Sequence, residues 1–202
     1  MINFFKKKKQ ENTFKEKSIY ERIIEAEENS NLSKLNIVSE NFKEDNRGNY
    51  EIKILDGEKT SRIDTTKLNE AILKFYKRDH SSVELICEYF KDKRAIEAFP
   101  EFESFIFSLE VFEEKKLAGL SILLMRDVTT VEAVKFGILL SYFYPLVNYP
   151  AAVKIITDLG IYPEFTYYSL SVLKQLNYYE VVKDNILRRG LEEAREIERK
   201  MK

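Results

Sequence analysis

The feature that most constrains the fold is a series of helix-start signals at regular intervals from residue 65 onward. Helices are predicted to begin near residues 65, 81, 100, 115, 130, 149, 163 and 178, about 15–19 residues apart. Only six glycines and four prolines occur in the 202 residues, and so few breakers favour long helices over many short strands. Taken in pairs, the helices recur about every 31–35 residues, a period typical of helical-repeat proteins. The sequence therefore predicts a mainly α-helical, right-handed stack of helix pairs.

Capping residues support several of these starts. Asp79 or Ser81 can cap the second helix, and Pro100 is predicted to open the third. Thr129 followed by Glu132 has the spacing of a capping box, in which each residue satisfies a free backbone amide at the helix start. Pro163 suits the first turn of a helix, where the missing N–H removes no hydrogen bond.

Two domains are predicted, an irregular N-terminal segment over residues 1–64 and a helical-repeat domain over residues 65–202. Residues 18–29 within the first segment read as a short amphipathic helix, with Ser18 as N-cap and Glu21 completing a capping box. The run Lys6 to Lys9 is expected to be a solvated tail, because charge runs usually lie in water.

A β-hairpin is expected in the N-terminal segment. Tyr50, Ile52 and Ile54 alternate with charged residues, which is the period of a half-buried strand. The dipeptide Asp56-Gly57 follows, and this pair suits a tight hairpin turn. The return segment EKTSRI alternates poorly, so the hairpin is expected to depend on packing against helices.

The segment at 130–144, TVEAVKFGILLSYFY, is predicted to be the central helix of the C-terminal half. Beyond its first residue, its polar positions are Glu132, Lys135 and Ser141. A helix that is apolar on every side must be covered on more than one side. Gly119 and Gly137 are attributed to close approach between helices, and the polar segment after Leu191 is expected to cap the stack or extend into solvent.

Residues 129–177 resemble a group of uncharacterised bacterial HEAT-like proteins. The resemblance lies in VEAVKFGILLSYF, a glycine-containing apolar helix, followed by LGIYPEFTYYSLSVLKQLN with the sequence Glu164-Phe165-Thr166-Tyr167. Where that group continues with a motif containing tryptophan and histidine, this chain reads NYYEVVKDNILRRG. The resemblance implies a HEAT/armadillo-like right-handed helical stack.

Composition limits the classes of partner and the location. The chain has 33 basic and 34 acidic residues, a formal net charge of −1, so it lacks the basic excess typical of nucleic-acid binders. No run of 18 or more apolar residues occurs, which predicts no membrane span. A single cysteine forms no internal disulfide and fits a reducing compartment. We expect a cytoplasmic protein of unspecified oligomeric state.

Residues typical of catalysis or metal binding are sparse. His80 is the only histidine, and with Glu84 and Glu88 it shares helical spacing that could hold a divalent metal. Solvated glutamates beside a histidine near a helix start explain the same pattern, and this interpretation is preferred. Cys87 lies among apolar residues, which favours a buried inert thiol over a nucleophile. No glycine-rich phosphate loop is present, and neither a catalytic residue, a metal nor a cofactor is expected.

Tyrosines concentrate in the C-terminal part, where eight of twelve lie between residues 142 and 179. Phe165 and Tyr168 fall on the apolar side of one helix and are predicted to point inward. Tyrosine is enriched at protein interfaces, and the rings near predicted helix ends are expected at one rim of the stack. The candidate partner-binding residues are Tyr144, Tyr149, Tyr162, Tyr167 and Tyr178. The alternative is that these rings are ordinary core-edge residues.

The function expected from the sequence is non-catalytic binding of another protein. A helical stack of this size without evident chemistry fits an adaptor, or an immunity protein that neutralises a toxin, which would make the partner a toxin. The alternative is a nucleic-acid-binding or DNA-glycosylase-like HEAT protein. That function would need a carboxylate beside an aromatic base pocket and a basic groove around both.

Overall fold

The computed structural model describes residues 16–45 and 47–202, apart from the side chains of residues 40, 43 and 44. The lysine run at 6–9 lies outside these residues. The described residues form eleven α-helices and four short 3-10 segments and contain no strand. The helices are α1 (Ile19–Glu28), α2 (Asn49–Leu55), α3 (Thr66–Tyr76), α4 (Ser82–Tyr89), α5 (Ala95–Ser108), α6 (Glu114–Asp127), α7 (Val131–Leu139), α8 (Pro150–Leu159), α9 (Pro163–Leu173), α10 (Tyr179–Arg189) and α11 (Glu192–Lys200). The predicted mainly α-helical class is confirmed.

Seven of the eight helix starts predicted after residue 64 lie within one residue of the observed ones. The capping box of the N-terminal helix is also confirmed, because the Glu21 amide donates to the Ser18 hydroxyl and the Ser18 amide donates to the Glu21 carboxylate. The capping box expected from Thr129 and Glu132 is wrong. The N-cap of α7 is Thr130, without a side-chain cap, and Glu132 faces the interior.

The start predicted near residue 100 is wrong by five residues, because α5 begins at Ala95 and includes Pro100. Arg94, the N-cap residue, provides no side-chain cap of its own. Instead the Ala95 amide donates to the carboxylate of Glu132 from α7, at 2.8 Å. An acceptor from a distant helix thus stabilises the helix start, and α5 continues past a residue that normally breaks a helix.

The predicted hairpin is wrong, because residues 49–55 form α2. Neighbouring residues Tyr50 and Glu51 are both buried, whereas Lys53 is exposed. The Tyr50 ring lies 3.5 Å from the Arg94 guanidinium and its hydroxyl donates to Glu97. The alternation of apolar and charged residues resembled that of a strand, in which consecutive side chains point to opposite faces. Here the consecutive residues Tyr50 and Glu51 are both buried, which fits a helix, and Glu51 makes polar contacts in the interior.

Several pairs of helices that are neighbours in the chain pack on each other. The neighbouring pairs in close contact include α3 with α4, α6 with α7 and α8 with α9. Helices two apart in the chain also touch, including α5 with α7, α6 with α8, α7 with α9, α8 with α10 and α9 with α11. Every residue of α7 is buried, as predicted for a central helix, but α7 ends at Leu139 rather than at residue 144, and Tyr142 beyond it is exposed. A Cβ at Gly137 would lie 2.9 Å from Leu124 Cβ, so the close helix approach expected there is confirmed.

The N-terminal helices also join this body. α1 packs on α6 and α8, and its Ile19 amide donates to the Val128 carbonyl. α2 contacts α11, which itself packs on α9 and buries Ala194 and Ile197. The domain boundary at residue 64 stays a prediction, and both helices before it contact helices beyond it.

Candidate functional site

The most unusual group of side chains is a buried ionic cluster centred on Lys135 of α7. Its ammonium nitrogen lies 2.7 Å from Glu164 Oε1, 2.9 Å from Glu51 Oε1 and 3.0 Å from Glu132 Oε1. Lys135 and Glu51 are 0% exposed, and the other two carboxylates are also buried. Charged side chains this deeply buried need compensating partners. One lysine therefore ties together α2, α7 and α9.

Further hydrogen bonds fix the carboxylates of this cluster. The Tyr168 hydroxyl donates to Glu51 Oε1 at 2.8 Å, and the Gly48 amide donates to Glu164 Oε2 at 3.3 Å. Glu132 Oε2 accepts from the start of α5, as described above. Glu51 Oε2 is buried and has no hydrogen-bond partner among the described residues. The cluster thus contains one unsatisfied acceptor.

The charges in the cluster do not balance, since three carboxylates face one ammonium group. Burial raises the pKa of Glu164; Lys135 opposes this rise, and the neighbouring Glu51 and Glu132 add to it. Burial alone would lower the pKa of Lys135, but the three carboxylates raise it well above its usual value. Burial and the same carboxylates raise the pKa of the Tyr168 hydroxyl. The lysine is therefore charged, the tyrosine neutral, and the Glu164 carboxylate retains a proton more readily than a free glutamate does.

The chemical groups of the cluster are those of acid–base catalysis, but solvent does not reach them. Lys135, Glu51 and Tyr168 are 0% exposed and Glu132 is 1% exposed. A general acid or base must contact its substrate within hydrogen-bond distance, and these atoms contact each other. These contacts hold α2, α7 and α9 together. Sequence reasoning missed the cluster, although the isolated polar positions Glu132 and Lys135 in an apolar helix were its signal.

The metal site considered at His80 is not assembled. His80 lies in the turn before α4, whereas Glu84 and Glu88 lie on that helix. In the described part of the chain, no group of three or more histidine, cysteine, aspartate or glutamate side chains could hold a metal ion. The Cys87 thiol is partly buried, and burial raises its pKa. A protonated thiol fits the inert role predicted for it.

The five candidate partner-binding tyrosines occupy different environments. Tyr144 and Tyr162 are 3% and 0% exposed, which corrects their predicted place at a rim. The Tyr144 hydroxyl lies 2.8 Å from the Ser121 hydroxyl, and its ring meets Tyr149 edge to face at 4.9 Å. Tyr167 is half-buried on α9 and Tyr178 is 40% exposed before α10. Among the described residues, no ring contact joins Tyr162, Tyr167 and Tyr178 to one another or to the Tyr144–Tyr149 pair.

Phe165 and Tyr168 point inward as predicted, since both are 0% exposed. The Tyr162 hydroxyl also has an interior role. It accepts a hydrogen bond from the Ile37 amide at 3.2 Å and donates to the Leu35 carbonyl at 3.0 Å. This tyrosine therefore anchors the segment between α1 and α2 to the helical body.

A different set of rings lies at the surface and is called here the aromatic surface. Phe107 is 75% exposed and Tyr142 is 43% exposed. Ring centroids connect Phe99 to Tyr142 at 5.9 Å, Phe99 to Phe143 at 5.6 Å and Phe107 to Phe143 at 5.9 Å. Partial burial raises the pKa of the Tyr142 hydroxyl, the nearby Tyr167 adds to the rise, and a hydrogen bond with Ser171 opposes it. The aromatic surface therefore comprises Phe99, Phe107, Tyr142 and Phe143.

Acidic residues accompany the aromatic surface. Residues 95–114, which include α5 and the loop after it, contain six glutamates and no lysine or arginine. Glu103 and Glu110 are exposed, and so are the apolar loop residues Val111 and Phe112. This part of the surface combines exposed apolar side chains with negative charge.

Comparison of the chain with protein-family models, with curated proteins and with solved structures finds no match. Within the residues described, no helix combines the length and the apolar character needed to cross a bilayer.

Proposed function

We propose that the chain is a non-catalytic protein-binding module and that it binds its partner through the aromatic surface. The observation that carries this proposal is the exposure of Phe107 and Tyr142 at 75% and 43%, in ring contact with a half-buried layer beneath them. Contiguous exposed apolar side chains cost free energy in water and often mark interaction sites. Aromatic residues are also enriched at the centres of protein interfaces.

The charge around the aromatic surface indicates the chemistry of the partner. Two of the six glutamates between residues 95 and 114 form ion pairs, Glu101 with Arg62 and Glu113 with Lys116. The other four favour a partner that offers apolar side chains surrounded by lysine or arginine, since complementary charge speeds association and aligns the two surfaces. The same glutamates repel phosphate and disfavour a nucleic acid at this position. An adaptor, or an immunity protein that neutralises a basic toxin, fits this surface.

The architecture that we propose for the module is a HEAT/armadillo-like right-handed stack. Contacts between adjacent helices, together with contacts between helices two apart in the chain, support this proposal. Each helix pair then covers the apolar face of the next pair, which is how repeat proteins build a continuous core. Such stacks present extended surfaces to protein partners.

The sealed ionic cluster supports a role without catalysis. Its titratable groups contact one another inside the helical body, and Lys135 is 0% exposed. On this proposal the cluster holds α2, α7 and α9 together, and the binding surface lies elsewhere, on α5 and the residues after α7.

Affinity purification from the native host, with tagged variants compared in parallel, tests the proposed function. Phe107→Ala and Tyr142→Ala each remove an exposed ring, and Val181→Ala removes a 70% exposed apolar side chain from α10 as the matched control. We expect one partner protein to be recovered with the wild type and the control and to be depleted with both ring variants. Equal recovery with all four proteins would place the interface elsewhere. A wild type that retains no partner would count against a binding module.

A further inference from the structure

We propose that a cleft between the α3–α4 turn and α6 binds a small amphipathic anion, a molecule with an apolar body and a carboxylate or phosphate head. The cleft has a volume of about 530 Å³, within the range of small-molecule sites, roughly 300–1,000 Å³. Phe75, Val83 and Leu123 supply its apolar wall. It lies apart from the ionic cluster and the aromatic surface, so this inference does not depend on the proposed function.

Gly119 gives the cleft part of its depth. It lies inside α6, and a Cβ built there would meet no atom within 4 Å. This corrects the sequence-based expectation that Gly119 permits a close helix approach. A glycine in a helix interior is unfavourable relative to alanine, and packing does not require this one. Its missing side chain instead leaves open space along the wall of the cleft.

Two cationic side chains lie at the mouth of the cleft. Arg78 and Lys116 line it, together with His80 and one acidic residue, Asp79. The Asp79 carboxylate already accepts hydrogen bonds from the amide and the hydroxyl of Ser81. The chain therefore presents more cationic than anionic side chains to a ligand at this mouth.

Arg78 is the cation best placed to receive an anionic head. Lys116 is partly neutralised, because its ammonium contacts the Glu113 carboxylate and the Tyr76 carbonyl. Among the described residues, the Arg78 side chain makes no ion pair. Its backbone φ of +62° belongs to the end of α3, where the Arg78 amide donates to the Phe75 carbonyl and the Asp79 amide donates to the Lys74 carbonyl. An arginine can hold a carboxylate or phosphate with two hydrogen bonds.

The beginning of α4 adds to the positive potential of the cleft. Ser82 and Val83 belong to the first turn of this helix and line the cleft. The first backbone amides of a helix carry a partial positive charge. The site thus joins an apolar wall to a cationic mouth, and that combination matches an acyl or aryl carboxylate, or an alkyl phosphate.

Calorimetric titration with three probes that carry similar alkyl chains, each kept below its micelle concentration or solubility limit, tests the proposal. The probes are decanoate, decanol and decyltrimethylammonium, which differ in head-group charge. We expect the full-length protein to bind decanoate most tightly and the cationic probe most weakly. Equal binding of all three, or no binding of decanoate, would overturn the assignment of an anionic ligand.

Three variants test whether the probes bind in this cleft. Gly119→Leu fills the cleft while improving helix propensity, so the protein should remain folded and lose more than about tenfold in decanoate affinity. Arg78→Ala should weaken decanoate about two- to fivefold, as expected for one partly exposed charge pair, and leave decanol unchanged. Lys77→Ala removes a neighbouring cation that does not line the cleft and should have no effect.

A membrane surface offers the same anionic head groups, so binding of the protein to phosphatidylglycerol vesicles is measured separately. We expect no vesicle binding that depends on Arg78. Unchanged decanoate affinity in Gly119→Leu, or binding confined to the vesicles, would overturn the proposal. The melting temperature of each variant confirms that a lost signal does not reflect unfolding.

Discussion

The carboxylate of Glu132 accepts a hydrogen bond at 2.8 Å from the backbone amide of Ala95, which lies 37 residues earlier in the chain. The other oxygen of Glu132 lies 3.0 Å from Lys135 Nζ. A single side chain therefore caps the start of α5 and neutralises part of a buried cation. This explains why α5 starts before Pro100 rather than at it.

Glu132→Ala should destabilise the protein by about 1–3 kcal/mol, because the buried Ala95 amide loses its acceptor. Glu132→Gln keeps an acceptor oxygen and should recover most of this loss. Chemical denaturation measures both changes, and amide hydrogen exchange at Ala95 should accelerate in the alanine variant alone. Equal stability of wild type and Glu132→Ala would show that α5 needs no distant cap.

Lys135→Met should be more damaging, at about 3–5 kcal/mol, since it leaves three carboxylates buried without a cation. Lys17→Met is the control, because Lys17 and its partner Glu25 have side chains that are 60% and 53% exposed. Exposed pairs contribute about 0–1 kcal/mol. Thermal and urea unfolding should separate the two variants clearly. Similar small losses in both would mean that Lys135 is not required to balance the cluster.

The ionic cluster should also make stability depend on pH. Burial raises the pKa of Glu164 above its ordinary value of 4.5, so the folded state binds this proton more tightly than the unfolded state does. The resulting stabilisation is present below the ordinary pKa and is lost as pH rises through the raised value. Glu164→Gln removes this pH-dependent contribution to the free energy of unfolding. The stability of the variant relative to wild type should therefore increase between pH 5 and pH 8 in urea titrations. A constant difference across that range would contradict a raised pKa.

The positions of the helices follow from local signals, and this is why they could be predicted. Ser18 with Glu21, and Pro163 at a first turn, act within a few residues of the helix that they begin. The start of α5 could not be predicted in the same way, because its cap comes from Glu132 on another helix. The ionic cluster escaped prediction for a related reason: Glu51 lies in a segment whose alternation resembled a strand.

The tyrosines show a second limit of local patterns. A ring at a helix end lies at the surface unless another part of the chain covers it. The segment around Ile37 covers Tyr162, and hydroxyl contacts to Ser121 and Ser141 hold Tyr144 in the interior. Tyr142, which was not among the candidate residues, is the exposed ring of that region.

Tyr162→Phe should cost about 1–3 kcal/mol, since the buried Ile37 amide and Leu35 carbonyl each lose a hydrogen-bond partner. Tyr178→Phe is the matched control, because Tyr178 is 40% exposed and its hydroxyl makes no hydrogen bond to a described residue. Urea denaturation compares the two, and exchange of the Ile37 amide should accelerate only in Tyr162→Phe. An unchanged exchange rate would show that this hydroxyl does not hold the segment.

Two helical glycines should respond to alanine in opposite directions. Gly119 has open space at its Cβ position, so Gly119→Ala should stabilise the protein by about 0.5–1 kcal/mol through helix propensity and reduced freedom of the unfolded chain. At Gly137 a Cβ would lie 2.9 Å from Leu124 Cβ and 3.2 Å from Met125 Cγ. Gly137→Ala should therefore destabilise by about 1–3 kcal/mol through overpacking, despite the same gain in propensity. Thermal unfolding measures both changes. Stabilisation by both substitutions would show that α6 and α7 separate easily at Gly137, and would contradict the close packing of the central helix.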